Sequence, residues 1–344
     1  MVAIMSQLAR RFAVAMQLAS CAAIAVLALN VGSLRNNLVA LNYLALAAQP
    51  GVSSTDLPLE WPQFSRGDVL LARLALTEGD NETALAVAGD AARRGDRLAG
   101  FVVGQAYLQL GDHQNALELW AQTSDAESLR SAAQALSAEG HDENSLLFLQ
   151  KAYELDDVGS TLLLSNLMHK QGNTTAAIDI LVSALADHPD SSFRRVWMLS
   201  LVQLMRIQHD WNDAQVVLDT WEREFQADSY LFIQRGWLIF ERDGDLQAAM
   251  NQIEKAISLA PNDGVGYLNM GILLARNSQH AQAEEYYARA VQLSPDNIGW
   301  LLTRAHNLQS LGDIPQAKAQ YEAILRVDPQ NGEAIQALGR LTAP

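Results

Sequence analysis

The chain has 344 residues, with 24 basic against 39 acidic side chains, a formal charge of −15 and one cysteine. A hydrophobic fraction of 49% with only 18% charged residues excludes a disordered chain, and the acidic balance excludes nucleic acid as a partner, because phosphate binding needs Lys and Arg in excess. The lone Cys excludes an intrachain disulfide framework and every multi-Cys zinc or iron–sulfur site.

After a short flank of residues 1–11, residues 12–34 form an uncharged run of 23 residues, FAVAMQLASCAAIAVLALNVGSL. At ~1.5 Å per residue it is long enough for a bilayer core of ~30 Å, and it predicts a single transmembrane or signal-anchor helix. Arg10 and Arg11 precede the run and Arg35 follows it, a bias that places the N-terminus in the cytoplasm and the rest of the chain outside it. Other readings stay open. Leu18-Ala19-Ser20-Cys21 is similar to a bacterial lipobox, which would make Cys21 the lipidated first residue of a mature lipoprotein. Against that, the apolar AAIAVLALNVG follows the cysteine where a polar tether is usual. A cleaved signal peptide and an apolar cytosolic N-terminus complete the alternatives.

Residues 35–64 begin with a helical pattern and continue through Pro50, Gly51, Pro58 and Pro62, which marks a linker. The charge divides near residue 60. Three basic and two acidic residues precede that point, and 21 basic and 37 acidic residues follow it.

The remaining sequence repeats itself. Residues 230–263, 265–297 and 298–331 each hold two helix-length apolar patterns around a short polar turn, closed by a proline. Pro261, Pro295 and Pro329 are 34 residues apart, as are Ala249, Ala283 and Ala317. Small residues such as Gly271 and Ala283 let two helices approach, and Tyr287 or Tyr321 fills the space beside them. Gly312 suits a left-handed residue after the first helix, and Asp313 can cap the second.

With Gly271, Ala283, Tyr287, Ala290 and Pro295 in one unit and Ala305, Gly312, Ala317, Tyr321 and Pro329 in the next, the sequence resembles the tetratricopeptide repeat family. Gly172, Ala177, Leu181, Ala184 and Pro189 mark a unit at 158–191, and Gly104, Tyr107, Gly111, Ala116 and Trp120 one beginning near 97. Weaker units fall at about 65–96, 126–157 and 195–228, which makes eight over 65–331. Residues 332–344 then look like one further first helix that caps the stack. The resemblance implies an all-α fold, an α-solenoid of antiparallel helix pairs that coil into a superhelix, behind the N-terminal anchor helix.

Catalytic motifs are absent: there is no HExxH, G-x-S-x-G, Walker or dinucleotide signature. His113, His141, His209 and His280 fall in the turns between paired helices and His188 precedes a proline, so no metal site, cofactor, enzyme activity or small-molecule substrate is expected. Solenoids of this kind bind through the groove lined by their first helices. Nine residues into successive units stand Gln105, Gln134, Asn166 and Gln203, then an apolar residue near Leu238, then Ile272 and His306. Amides donate and accept, so such a row can hold the backbone of an extended peptide; Gln and Asn are equally at home on half-exposed helix faces. Beside them Phe101, Leu162, Leu199, Leu268 and Leu302 are candidate apolar pockets. Repeat domains of this family that grip a C-terminal carboxylate resemble one another in having Lys, Arg and Asn at set groove positions. Only Asn269 matches one, and the expected slots hold residues such as Gly299 and Thr303.

The reading that emerges is a membrane-anchored scaffold that binds proteins or extended peptides. Two alternatives stand beside it. One is a cell-envelope biogenesis factor, a pilotin-like lipoprotein or a helper of polysaccharide export and assembly; the other is a regulatory subunit of an enzyme complex facing the cytosol.

Overall fold

The computed structural model describes residues 65–342, and the candidate anchor at 12–34, Cys21 and the linker at 35–64 lie outside that range. Among the described residues there are 17 α-helices and no strand, and no helix is long and apolar enough to cross a membrane. The described residues form two compact units, divided between Ser160 and Thr161.

The first unit contains α1 (Ser65–Glu78), α2 (Asn81–Arg93), α3 (Arg97–Gln109), α4 (His113–Gln122), α5 (Ala126–Ala138) and α6 (Asp142–Glu154). They pair in sequence order as three helical hairpins, α1 with α2, α3 with α4 and α5 with α6. The turn between α3 and α4 shows the chemistry. Gly111 adopts φ +74°, and the Asp112 amide donates back to the Tyr107 carbonyl at 2.8 Å, which satisfies a carbonyl that the ending helix leaves without a partner. The Asp112 carboxylate then accepts from the Asn115 amide at 3.3 Å and starts α4. Asp80 and Asp96 likewise cap α2 and α3.

Small residues set the closeness of each pair. A side chain at Gly104 would collide with the indole of Trp120, which is fully buried and donates from Nε1 to the Gly100 carbonyl at 3.1 Å. Ser145 Oγ donates to the Ala133 carbonyl at 2.7 Å across α5 and α6. Ala72, Ala84, Ala88, Ala99 and Ala106 share the core with Val102 and Val103. Alanine-lined faces bring helix axes close, and the many short contacts supply dispersion that a looser pair would forfeit.

The second unit contains α7 (Ser160–Lys170), which begins at the boundary, α8 (Thr174–Asp187), α9 (Arg194–Gln208), α10 (Trp211–Glu224), α11 (Ser229–Asp243) and α12 (Leu246–Leu259). It continues through α13 (Gly264–Arg276), α14 (His280–Leu293), α15 (Ile298–Leu311), α16 (Ile314–Val327) and α17 (Gly332–Thr342). Consecutive helices again form hairpins: Ser165 Oγ donates to the Ala177 carbonyl at 3.1 Å between α7 and α8, and Tyr321 OH donates to Gln309 Oε1 at 2.9 Å between α16 and α15. At Gly312 φ is +78°, and Asp313 accepts from the Gln316 amide. The last helix, α17, buries Ala334 and Ala337 in the core formed with Leu301, Ala305, Tyr321 and Ile324.

The two units differ in how one hairpin is joined to the next. In the first, Gly95 and Ser124 take positive φ and turn the chain sharply. In the second, the residues that close the second helices leave the helical region without a left-handed turn, Phe225, Ala260, Ser294 and Asp328 all having φ near −135°. Pro261, Pro295 and Pro329 follow three of these closing residues directly, since a proline biases its predecessor toward extended backbone. The hairpin at 195–228 lacks that proline, and it also has His209 rather than glycine in the left-handed turn position at φ +64°. It forms nonetheless, around buried Trp197, Leu201, Leu218 and Trp221.

Candidate interaction faces

The register of each first helix is read from what it presents to its partner. Gly104 meets Trp120, Gly271 meets Tyr287 and Gly236 meets Ile253, and each of those partners lies four residues after the second helix's buried alanine, Ala116, Ala283 and Ala249. The residue after each of these small positions occupies the slot in question. In the first unit the slot holds Gln105 and Gln134, preceded in α1 by Arg73, which stands six residues before Gly79 as Gln105 stands six before Gly111. In the second unit it holds Asn166, Gln203, Trp237, Ile272 and His306.

The apolar slot residue expected near Leu238 is its neighbour Trp237. Leu238 is fully buried, with 0% exposure. The small position of α11 is Gly236, eight residues before the left-handed Gly244 instead of seven, so the slot falls on Trp237. The cause is local: the Gly244 amide bonds to the Phe240 carbonyl in ordinary helical fashion at 3.0 Å, and α11 therefore runs one residue further before turning.

The amides predicted to line the faces are open. Gln105 is half-buried, and Gln134, Asn166 and Gln203 are exposed. None of the four has a hydrogen-bond partner among the described residues, whereas Gln234, Asn269 and Asn307 are engaged. His306 is exposed and lies 3.1 Å from Glu333 Oε1 of α17. The apolar row is less uniform than expected. Phe101 is 39% exposed, whereas Leu162, Leu199, Leu268, Ile272 and Leu302 are half-buried, Leu268 and Ile272 against the core of α11 to α14 and Leu302 against that of α15 to α17. Leu268, Ile272 and Leu302 serve the core first.

Between α9, α11 and α13, which lie side by side in that order, runs a charged assembly that sequence reading missed. Arg206 donates to Glu241 from Nε at 2.9 Å and from Nη2 at 2.8 Å, and to Gln234 Oε1 at 2.7 Å. Arg276 reaches the same Glu241 at 3.4 Å. The two guanidinium groups lie against Trp237, at 5.6 and 5.0 Å from its ring, and Trp237 Nε1 donates to Asn269 Oδ1 at 2.7 Å. Asn269 Nδ2 in turn donates to the Val265 carbonyl at 2.8 Å. The one asparagine that matched a carboxylate clamp is thus committed within the protein, and Thr303 Oγ1 bonds the Gly299 carbonyl.

A second knot surrounds Asp228, the cap of α11. Arg195 donates to both its oxygens, Trp221 Nε1 to Oδ2 at 2.9 Å and the Tyr230 amide to Oδ1 at 3.0 Å. Burial works against its charge, yet these bonds hold the Asp228 carboxyl below the usual aspartate range. Burial pushes the Tyr287 phenol up to about 12, so it remains a neutral core residue.

Charge is sorted by helix. In the second unit the first helices, with α17, carry nine basic and three acidic residues, and the second helices five and ten. In the first unit the first helices carry four basic and three acidic residues against two and six on the second helices. The turn aspartates add further negative charge. His113 Nδ1 bonds Asn144 at 2.8 Å and His280 Nδ1 bonds Asn307 at 2.9 Å, each across to another repeat, and His169 Nδ1 bonds Thr174 Oγ1 at 3.0 Å within its own hairpin; no group of three His, Cys, Asp or Glu that could hold a metal exists among the described residues.

Family models described as tetratricopeptide repeat match residues 69–128, 238–298 and 274–341. Over those residues the chain is built of tetratricopeptide repeats. Among curated proteins it is similar to human Tetratricopeptide repeat protein 16, 26% identical over 130 residues, which is 36% of this chain and 15% of that protein. It is also similar to human Tetratricopeptide repeat protein 6, 32% identical over 74 residues, 22% of this chain and 14% of that one. The chain therefore spans about 15% of the length of such relatives. A thermophilic repeat protein of this family from Thermus thermophilus is 18% identical, with a TM-score of 0.44 over 54% of this chain and 99% of its own. Proteins of this family serve as scaffolds for protein–protein interaction.

Proposed function

We propose that the protein is a non-enzymatic, membrane-anchored scaffold that holds extended protein segments on the first-helix faces of its repeats. The observation that carries the reading is the set of four unpartnered amides, Gln105, Gln134, Asn166 and Gln203, at one register position of successive first helices. A side-chain amide with both hydrogen-bonding ends open to solvent can pair with a peptide group, donor to acceptor and acceptor to donor, without reading the side chain attached to it. Within each unit, the same register position in the next repeat offers the next such contact, Gln134 after Gln105 in the first and Gln203 after Asn166 in the second.

The membrane part of the proposal rests on the uncharged residues 12–34 with Arg10 and Arg11 before them. It places the repeats outside the cytoplasm, at the end of a linker that lets them reach partners near the membrane.

The test is crosslinking from the slot. A photoreactive amino acid at Gln105 or Gln203 of the full chain in its native cells captures protein partners, and alanine at all four amides lowers recovery of those partners about tenfold or more. Undiminished recovery with the fourfold variant correctly folded removes the amides from the binding face. Alkaline extraction that leaves the full chain in the soluble fraction removes the anchor.

A further inference from the structure

The slot of α1 breaks the amide pattern. Arg73 stands there, exposed and without an ion pair among the described residues. On other first helices Arg130, Arg194, Arg195, Arg206, Arg235 and Arg304 are held by carboxylates. On α3, the first helix beside α1, Arg97 is 70% exposed and only 4.0 Å from its nearest carboxylate, Asp125. Leu98 and Phe101 follow it on α3, 57% and 39% exposed. They are three residues apart and so share a helix face. The open amide of Gln105 follows Phe101 by one turn.

Resting on the scaffold reading, we propose that the α1–α3 face of the first unit binds an internal acidic–apolar segment of a partner protein, with Arg73 holding its carboxylate and Leu98 with Phe101 seating its large apolar side chain. Charge complementarity selects this occupant. The first unit carries a clear excess of acidic residues on its second helices and turns, so a basic segment is drawn there and away from Arg73 and Arg97. An acidic segment is repelled from those surfaces and accepted at this face. The helices fix the spacing: neighbouring axes lie about 10 Å apart and an extended chain advances about 3.3 Å per residue. Phe101 and Leu98 lie about one and two helical turns along α3 from the level of Arg73, so the carboxylate and the apolar side chain stand about four residues apart. The segment need not end the partner chain, because an arginine recognises a side-chain carboxylate as well as a terminal one, and the asparagine of a terminal clamp is committed to Trp237.

The experiment is selection of a random dodecapeptide library, displayed on phage with both peptide ends embedded, against the immobilised full chain. The expected consensus is Asp or Glu about four residues from Phe, Leu or Trp. With Arg73→Glu the acidic position turns to Lys or Arg, and synthetic acidic peptides bind about tenfold more weakly, the scale of one lost charge-assisted bond. With Leu98→Ser and Phe101→Ser the apolar position loses its preference. Because Arg73, Leu98 and Phe101 are exposed, circular dichroism is expected to show these variants folded. A consensus without an acid, or one that Arg73→Glu leaves unchanged, overturns this assignment while leaving the scaffold reading standing; no enrichment on the wild type removes both. Flotation of the chain with phosphatidylserine vesicles that Arg73→Glu abolishes would make the patch a lipid contact and overturn the peptide assignment too.

Discussion

A Cβ placed on Gly271 would lie 2.7 Å from both Cδ1 and Cε1 of Tyr287, closer than side chains approach in folded proteins. The tyrosine is 3% exposed and has no room to withdraw. Gly104 over Trp120 repeats the relation in the first unit. Glycine is retained at these positions at a cost, since in a helix interior alanine is better by about 0.5–1 kcal/mol.

The first prediction follows from that opposition. At Gly271 the collision outweighs helix propensity, so Gly271→Ala destabilises the second unit by about 1–3 kcal/mol, the range for overpacking. Urea unfolding followed by circular dichroism reads it as a lower midpoint. The control is Gly339→Ala on α17, where a Cβ meets nothing within 4 Å and the change is neutral or slightly stabilising.

Ser278 gives a prediction of the opposite sign. It closes α13 at φ +62° in the place that Gly111 and Gly312 occupy elsewhere. A side chain there carries left-handed strain of about 1 kcal/mol, so Ser278→Gly raises the thermal midpoint, offset in part by the greater freedom of glycine in the unfolded chain. A lower midpoint would mean the serine side chain contributes something its geometry does not reveal.

Asp228 predicts an acid sensitivity. Its carboxyl titrates below the aspartate range when folded, so the unfolded chain takes up the proton first as pH falls. The stabilisation is present above the ordinary aspartate pKa and is lost as the pH drops through that value and below it. Melting temperatures taken from pH 6 to pH 3 fall less steeply in Asp228→Asn than in the wild type, because the variant has no carboxylate to protonate. Parallel curves would show that the Arg195, Trp221 and Tyr230 contacts to Asp228 do not set acid stability.

The anchor is tested at one residue. If residues 12–34 are retained as a membrane helix, Cys21→Ser leaves membrane recovery unchanged and the chain takes up no lipid label. Label lost on that substitution would establish the lipoprotein alternative instead.

How much of the fold is legible in advance depends on the range of the interaction concerned. The turn at Gly312 and the cap at Asp313 are readable because both are decided within five residues. The pairing of Gly271 with Tyr287 is readable because small and aromatic residues recur at a fixed distance from the turn. The slot of α11 is legible only as an apolar residue near Leu238, and not as Trp237 itself, because one added helical residue before Gly244 rotates α11 by about 100° without altering the 34-residue spacing of the alanines. Arg73 is passed over because α1 precedes the clearest repeats and its register becomes certain only from Gly79.

By itself, then, the sequence determined the family, the helix pairs, the turns that join them and the excess of acid in the repeat region, all properties of local spacing and composition. Only the tertiary structure decided where that charge lies and which polar groups are spent. Arginine is sorted onto first helices and carboxylates onto second helices and turns, Asn269 is consumed by Trp237, and the slot amides together with Arg73 are left open. Those outcomes depend on how each helix is rotated against its neighbours, and small residues such as Gly236, meeting the partner helix at van der Waals distance, are what set the rotation.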